Sequence, residues 1–508
     1  MSHPSDRPPA GTGAVATAPR KKTLRTFDMV LFSVAAMLLL SQLTLSASIG
    51  PSAIFWTVAI ILVFFLPYGL VTAELGSTYP DAGGIYAWVV RAFGKQWGTR
   101  VSWWYWINVG LWVPTVYLMF SGAISSMFFD GNLAFWAQVA ITLVLIWINF
   151  WVNIRSLEVG SWVSSTGAII TFVVIAALAV AGVVHTVTQG SATEWSLNAM
   201  LPTEAVPAIA LALPIIVYNF LGFELMSSAS TEMENPRRDV PKAIGIAGVL
   251  IGFFYLIATV GILQVIPADE ISETEGLMDA LKIGFGDSTL ATAAVTVLGL
   301  GVLFAFFAAL IPWTIGANLA AAESARQGDL PPVFARMHRT RRTPLGAALT
   351  TAVVGTVVVL VYGTLFSLTD GAVDDLFWSL FAFSSVIFLL PYIVMMLAFR
   401  KLRVVDADAT RPYRMPGGRP VAELATWVPV ILLGLAALFF VWNPFEFDAN
   451  FTLAILAGIA VAVIIQEVFV HRAPRWAAAR AAEAVEAEAL AVLADEEPEA
   501  PEALEPVV

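Results

Sequence analysis

The chain has 508 residues, 58% of them hydrophobic and only 13% charged, whereas soluble domains run near 45–50% apolar and about 25% charged. Lys and Arg total 27 against 38 Asp and Glu, for a net charge of −11, which disfavours a nucleic-acid binder and leaves far more apolar surface than a soluble core hides. There is no cysteine, so disulfides, thiolate catalysis and Cys-ligated metals are excluded, and the four histidines (His3, His185, His338 and His471) lie far apart with no metal-ligand spacing, so neither a metal site nor a cofactor is expected.

Residues 1–25, rich in Pro, Ala, Gly and Thr, read as a disordered cytoplasmic tail. A bilayer-crossing helix needs about 20 mostly apolar residues. Twelve such runs follow, near 27–50, 52–76, 98–128, 133–154, 159–185, 206–231, 242–266, 288–323, 345–366, 374–400, 421–443 and 450–470. The first is too long for a signal peptide, and no small-residue cleavage site follows it. The transporter domain is therefore set at 26–472. Between the seventh and eighth runs, residues 267–287 read as a short amphipathic helix. Residues 473–508 start as an Ala/Glu helix and end acidic, with nine acids against two arginines, and read as a cytoplasmic, solubilising tail.

Twelve runs place the loops alternately on two faces, and the cations test the count. Arg25, Arg91, Lys95, Arg100, Arg155, Arg237, Arg326, Arg336, Arg400, Arg411 and Arg472 all fall on one face, as do all of the 27 basic residues except Lys282. The other face bears Asp269, Glu270, Glu273, Glu275, Asp370, Asp374 and Asp375. The positive-inside rule then puts both termini in the cytoplasm of a multi-pass protein of the cell membrane. An error of one span would scramble this alternation.

A charge at the bilayer centre costs about 2.5–3.5 kcal/mol on insertion scales, so an intramembrane ionisable group is a candidate site. Glu224 is the sharpest case, within Tyr218-Asn219-Phe220-Leu221-Gly222-Phe223-Glu224 of the sixth run, where Pro214 and Gly222 weaken the helix. The first run has a comparable polar stretch, Ser41-Gln42-Leu43-Thr44-Leu45-Ser46. Interrupted helices five spans apart suit an inverted repeat, in which half-helix ends and freed carbonyls meet a small charged solute at the midplane. Packing between helices accounts equally well for Ser41, Gln42 and Thr44. Trp103, Trp104 and Trp106 read as interfacial belt residues, Trp313 beside Pro312 as facing a cavity, and Asp28 and Glu74 as structural partners of nearby arginines.

Three motifs then resemble a known family. Glu74-Leu75-Gly76 with Pro80-Asp81-Ala82-Gly83-Gly84-Ile85-Tyr86-Ala87-Trp88-Val89 is one. Gly222-Phe223-Glu224 with Glu232-Met233-Glu234-Asn235-Pro236-Arg237-Arg238-Asp239-Val240-Pro241 is the second, and Gly328-Asp329-Leu330-Pro331-Pro332 with Pro344 is the third. Together they resemble the amino acid-polyamine-organocation (APC) transporters over about residues 25–470, and are most similar to the glutamate/GABA antiporter branch. The resemblance implies an all-α integral membrane protein of twelve transmembrane helices: a leucine-transporter-type 5+5 inverted repeat, about 27–185 and 206–400, plus two extra helices at about 421–470. It also implies alternating access around a site of Ser41, Gln42, Thr44, Tyr218, Asn219, Gly222, Glu224, Trp313, Phe388 and Tyr392. The chain departs from the pattern: the first span lacks a Gly-Ser-Gly break, Ala309 stands where the glutamate exchanger carries an acid, and Phe388 replaces a tyrosine.

The expected function is a permease or antiporter moving an amino acid or a related amine, by exchange or by coupling to protons, with sodium-coupled symport as the alternative. Tyr218 and Trp313 serve as occluding aromatics, and Glu224 holds a cationic group or a proton. A membrane-embedded enzyme lacks an intramembrane acid/base pair, a channel lacks a filter-like ring, and ATP-driven transport lacks a phosphate-cradling loop.

Overall fold

The computed structural model describes residues 26–79, 84–155, 157–202, 205–224, 236–341, 343–443, 445 and 448–495. Helices make up the regular structure of the described residues, with no strand among them. In chain order they are α1 (Thr26–Met37), α2 (Leu43–Ser48), α3 (Ala53–Thr78), α4 (Ile85–Phe93), α5 (Lys95–Phe129), α6 (Phe135–Asn153), α7 (Leu157–Gln189) and α8 (Leu197–Met200). Then come α9 (Ala205–Asn219), α10 (Pro236–Leu263), α11 (Gly276–Phe285), α12 (Thr289–Arg326), α13 (Leu345–Leu368), α14 (Val373–Val405), α15 (Gly418–Val441) and α16 (Ala449–Asp495). Among the described residues ten helices are long and apolar enough to cross a membrane. The two expected runs outside that ten are the first and the sixth, and both are interrupted. The first is divided into α1, an extended Leu39, a 3-10 turn at Leu40–Gln42, and α2. The sixth stops as a helix at Asn219, after 15 residues.

Burial sets the layering. Of the apolar window of α5, 89% is buried, and of that of α14, 83%, against 22% for α16. α5 and α14 thus form the centre, packed on each other, with α12 on α5 and α7, and α10 on α1 and α7. Because α5 is central, Trp103, Trp104 and Trp106 are buried in the bundle and form no interfacial belt. The Trp103 indole donates to the Ala462 carbonyl at 3.1 Å, and that of Trp106 to Thr351 Oγ1 at 3.0 Å. Where α7 and α10 cross, Gly182 and Gly261 bring the backbones together: a Cβ at Gly261 would lie 2.6 Å from the Leu178 carbonyl oxygen.

Ion pairs define two faces. On the basic face the Glu74 carboxylate, 2% exposed, is held by Arg403 (Nε to Oε1, 2.8 Å), by Arg411 at 3.4 Å and by the Met415 amide at 2.8 Å. Glu74 therefore has the structural partners expected of it. Arg100 forms a bidentate pair with Glu467 of α16 there, and Tyr86 donates to Asp329. On the acidic face the segment 267–287 does fold as the short helix α11, reaching over the end of α5, where Ser126 donates to Asp279 at 2.5 Å. The lone Lys282 of that face donates to the Ser126 carbonyl at 2.7 Å and lies 3.5 Å from Asp130. α16 runs past its apolar stretch as the helical start of the acidic tail, and Gly328 packs directly on Ala477. The N-terminal tail, residues 80–83 and 225–235 of the family motifs, and residues 496–508 lie outside the described residues.

Candidate functional site

The two interrupted helices meet. Asn219, the last residue of α9, donates through Nδ2 to Ser46 Oγ of α2 at 2.9 Å, while Ser46 donates its own hydrogen to the Gln42 carbonyl at 2.8 Å. With the serine hydrogen committed, the asparagine nitrogen must be the donor, and this fixes Asn219 Oδ1 as a free acceptor. After Asn219 the chain turns through Phe220 and Leu221, whose amides donate to Val217 and Tyr218 at 3.1 and 3.2 Å, to Gly222 at φ +112°. A side chain is strained at that φ, so glycine permits the turn, which lies against Met37 of α1 and the Trp313 ring of α12.

Beside the breaks lies a small cavity, partly open to solvent, lined by Gln42, Asn108, Trp112, Tyr218, Asn219 and Tyr255, with Met37, Leu39, Leu221, Trp313 and Phe388. Trp112 and Trp313 meet edge to face at 5.8 Å, and Phe388 touches both Tyr218 (5.4 Å) and Trp313 (6.2 Å), which makes an aromatic wall. Three buried carbonyl oxygens of this lining, Gln42 Oε1, Asn108 Oδ1 and Asn219 Oδ1, have no hydrogen-bond partner. Among the described residues no Lys, Arg or His is in the lining. The walls thus offer three buried free acceptors against one buried free donor, the Trp112 indole N–H, and among the described residues no positive charge.

Glu224 stands behind this wall, 3% exposed. Tyr392 of α14 donates to its Oε1 at 2.8 Å and Tyr68 of α3 to its Oε2 at 2.9 Å, and the Tyr68 oxygen also accepts the Phe223 amide hydrogen at 3.2 Å. Tyr392 in turn packs edge to face on Phe388 at 5.0 Å. Among the described residues no cation pairs with Glu224.

The expected residues thus fall into three groups. Gln42, Tyr218, Asn219, Trp313 and Phe388 line the cavity, and Gly222 borders it. Glu224 and Tyr392 form the buried clamp. Ser41 is buried outside the lining, and Thr44 points to the acidic face, donating to the Glu273 carbonyl at 3.0 Å.

The sequence model of the amino acid permease family matches residues 24–465. The chain belongs to that family. It is similar to a Lactococcus lactis protein named as a probable agmatine/putrescine antiporter, 30% identical over 456 residues, covering 89% of this chain and 95% of the relative. An uncharacterized transporter of Legionella pneumophila is 31% identical over 421 residues (81% and 88%). A probable polyamine transporter of Arabidopsis thaliana is 24% identical over 377 residues (73% and 69%). The APC resemblance read from the motifs is thereby shown: the chain is a multi-pass membrane transporter and not an enzyme. The relatives named for substrates are named for amines, whereas the motifs suggested the glutamate/GABA branch.

Sequence reasoning missed four residues of this permease's site. Asn108 and Trp112 lie on α5, where tryptophans crowd a helix buried all round and no apolar stripe marks an inner face. An amide in the middle of that helix was the available signal. Tyr68 and Tyr255 are single tyrosines in apolar spans, and only their partners across the bundle reveal them.

Proposed function

We propose that this permease exchanges small organic amines across the cytoplasmic membrane by alternating access, with the substrate held between the first-span break at Met37–Gln42, α5, α9 and α12. The observation that carries the reading is the set of three carbonyl oxygens, Gln42 Oε1, Asn108 Oδ1 and Asn219 Oδ1, which have no partner and line one cavity without a basic side chain among the described residues. An ammonium or guanidinium brings several N–H donors and no acceptor, so it satisfies these oxygens, and the aromatic wall of Trp112, Trp313, Tyr218 and Phe388 suits a cation. The names of the amine-transporting relatives agree with this.

Glu224 is the coupling group in this reading. A buried carboxylate without a cation partner is costly, so it is neutralised by a proton or by the far amine of a dication. Its two tyrosines come from α3 and α14, and release of the carboxylate would free both helices to move against the break. The overall frame is twelve crossings in two inverted five-span repeats. The pair α1 and α2 forms one broken helix, α9 with the turn at Gly222 forms its equivalent, and α15 and α16 stand outside the repeats. The basic face is cytoplasmic, as are both termini, and 473–508 is a solubilising tail.

Counterflow into proteoliposomes loaded with a panel of unlabelled amines and amino acids, at acid and neutral pH, with and without sodium, tests the reading. Saturable uptake of labelled diamine or agmatine driven by internal amine, independent of sodium, is expected. Sodium-dependent uptake without internal substrate would establish symport, and unsaturable conductance would establish a channel.

A further inference from the structure

The break in the first span is already occupied by a side chain. α1 ends at Met37, and Leu39 is extended (φ −108°, ψ 127°), so the helix ladder is interrupted there. Tyr255 of α10 reaches into this gap from across the bundle. Its hydroxyl donates to the Met37 carbonyl at 2.8 Å and accepts the Leu39 amide hydrogen at 3.3 Å, and the residue is 3% exposed. Met37, Leu39 and Tyr255 are all part of the cavity lining, so this phenol stands at the edge of the space where a substrate is held.

The chemistry of that position decides what can bind beside it. A backbone N–H freed at a helix break is a receptor for a substrate carboxylate, and a freed carbonyl is a receptor for an ammonium. Here one hydroxyl satisfies the N–H and the C=O together. A phenol has a single hydrogen, committed to Met37, and one lone pair is taken by the Leu39 amide, so toward the cavity the oxygen offers only its remaining lone pair. A carboxylate brought to the break would therefore meet an oxygen in place of a donor. Elsewhere in the lining it would meet the free oxygens of Gln42, Asn108 and Asn219 against a single buried free donor, the Trp112 indole N–H, with no Lys, Arg or His among the described lining residues to neutralise it. An amine without a carboxylate meets none of these oppositions.

We propose that Tyr255 is a specificity-determining residue: its hydroxyl fills the first-span break and makes the cavity select an amine over the amino acid that differs from it only by an α-carboxylate. The inference rests on the reading that the cavity takes amines. The substrate class that follows is the product of an amino acid decarboxylation, and a reaction of that class supplies one partner of the exchange.

The test is competition against labelled agmatine or labelled putrescine on the purified full-length protein, using agmatine with arginine and putrescine with ornithine as matched pairs. Wild type should prefer the amine of each pair by at least a hundredfold. Tyr255→Phe, which opens the Leu39 amide together with the Met37 carbonyl and removes the phenol oxygen, should narrow that ratio at least tenfold through a gain in amino acid binding at the freed N–H. A structural role alone would weaken both members in proportion, and an unchanged ratio would overturn the proposal. A second measurement needs no variant. Argininamide has no anionic oxygen and brings N–H donors to the Tyr255 oxygen, so it should bind wild type more nearly as agmatine does. Argininamide as weak as arginine would also overturn the proposal. Binding of neither member of either pair by wild type would sink the amine reading itself, whereas equal binding of both members would sink only the role of Tyr255.

Discussion

The Tyr68 hydroxyl lies 2.9 Å from Glu224 Oε2 and at the same time accepts the amide hydrogen of Phe223, so one phenol from α3 holds both the backbone and the carboxylate just beyond the sixth-span break. Tyr68→Phe would leave a buried carboxylate oxygen and a buried N–H unsatisfied. Such a loss costs about 1–3 kcal/mol per group. The expected result is a clear drop in the melting temperature of the detergent-solubilised protein, together with slower exchange. An unchanged melting temperature would mean that the clamp contributes nothing to the stability of this conformation.

Replacing the free acceptors separates binding from folding. Gln42→Leu and Asn108→Leu each remove a carbonyl oxygen that has no partner among the described residues, so folding should be little affected. Each should lose one hydrogen bond to a cationic donor, worth about 1.5–3 kcal/mol, or roughly tenfold or more in the half-saturation for the amine. Counterflow at graded external amine reads this directly, and an unchanged half-saturation in both variants would place the substrate elsewhere.

On the acidic face, Glu273 should make stability depend on pH. Burial first, and then the negative charge of Asp374, push its carboxyl up to about 7 from an ordinary 4.5, with Asp375 adding to the effect. Asp374 is in turn bound by the Thr274 hydroxyl and amide, which ties this segment to the start of α14. A carboxyl raised in the folded state binds its proton more tightly than in the unfolded chain. The stabilisation is therefore complete below about pH 4.5 and is lost as pH rises through about 7. Glu275 and Asp279, raised chiefly by burial, contribute with the same sign. The melting temperature should fall between those two pH values, and Glu273→Gln should flatten that part of the profile. A profile of the variant parallel to that of wild type would contradict the assignment.

Glu74→Gln tests the opposite face. The substitution keeps the shape but leaves Arg403 and Arg411, which have side-chain exposures of 15% and 9%, facing a neutral amide. Breaking a buried ion pair from one side costs about 3–5 kcal/mol. A large fall in melting temperature or in folded yield is expected, and a wild-type melting curve would show that Met415 and the surrounding turns alone hold this corner.

Much of this arrangement was legible in the sequence, and the parts that were not share a cause. Run length and the alternation of cations indicated the long helices, because bilayer thickness and charge translocation act on the chain locally. Gly222, Pro214 and the polar residues around them marked the sixth-span interruption, since a helix weakened at mid-depth is a local property. The first-span interruption runs from Leu38 through the turn at Leu40–Gln42, so the polar stretch Ser41–Ser46 marked only its end, and its start is stabilised by the hydroxyl of Tyr255 on α10. Which side of an apolar helix faces inward is not written in its periodicity when both lipid and core are apolar. That is why the belt reading of Trp103, Trp104 and Trp106 failed, and why Asn108 went unnoticed between them and Trp112. Thr44 shows the converse: a polar residue in the right stretch, turned by α2 toward the Glu273 carbonyl and away from the cavity.

Counterflow of labelled agmatine into proteoliposomes preloaded with unlabelled amine, comparing wild type with Glu224→Gln, tests the central claim most directly. Gln keeps the side-chain length but cannot carry a charge or exchange a proton, and expression should be retained. Wild type is predicted to show saturable exchange, and the variant to lose that exchange or its pH dependence. Undiminished exchange with an unchanged pH profile in Glu224→Gln would contradict a coupling role for this carboxylate, as would wild-type protein that accumulates no amine at all.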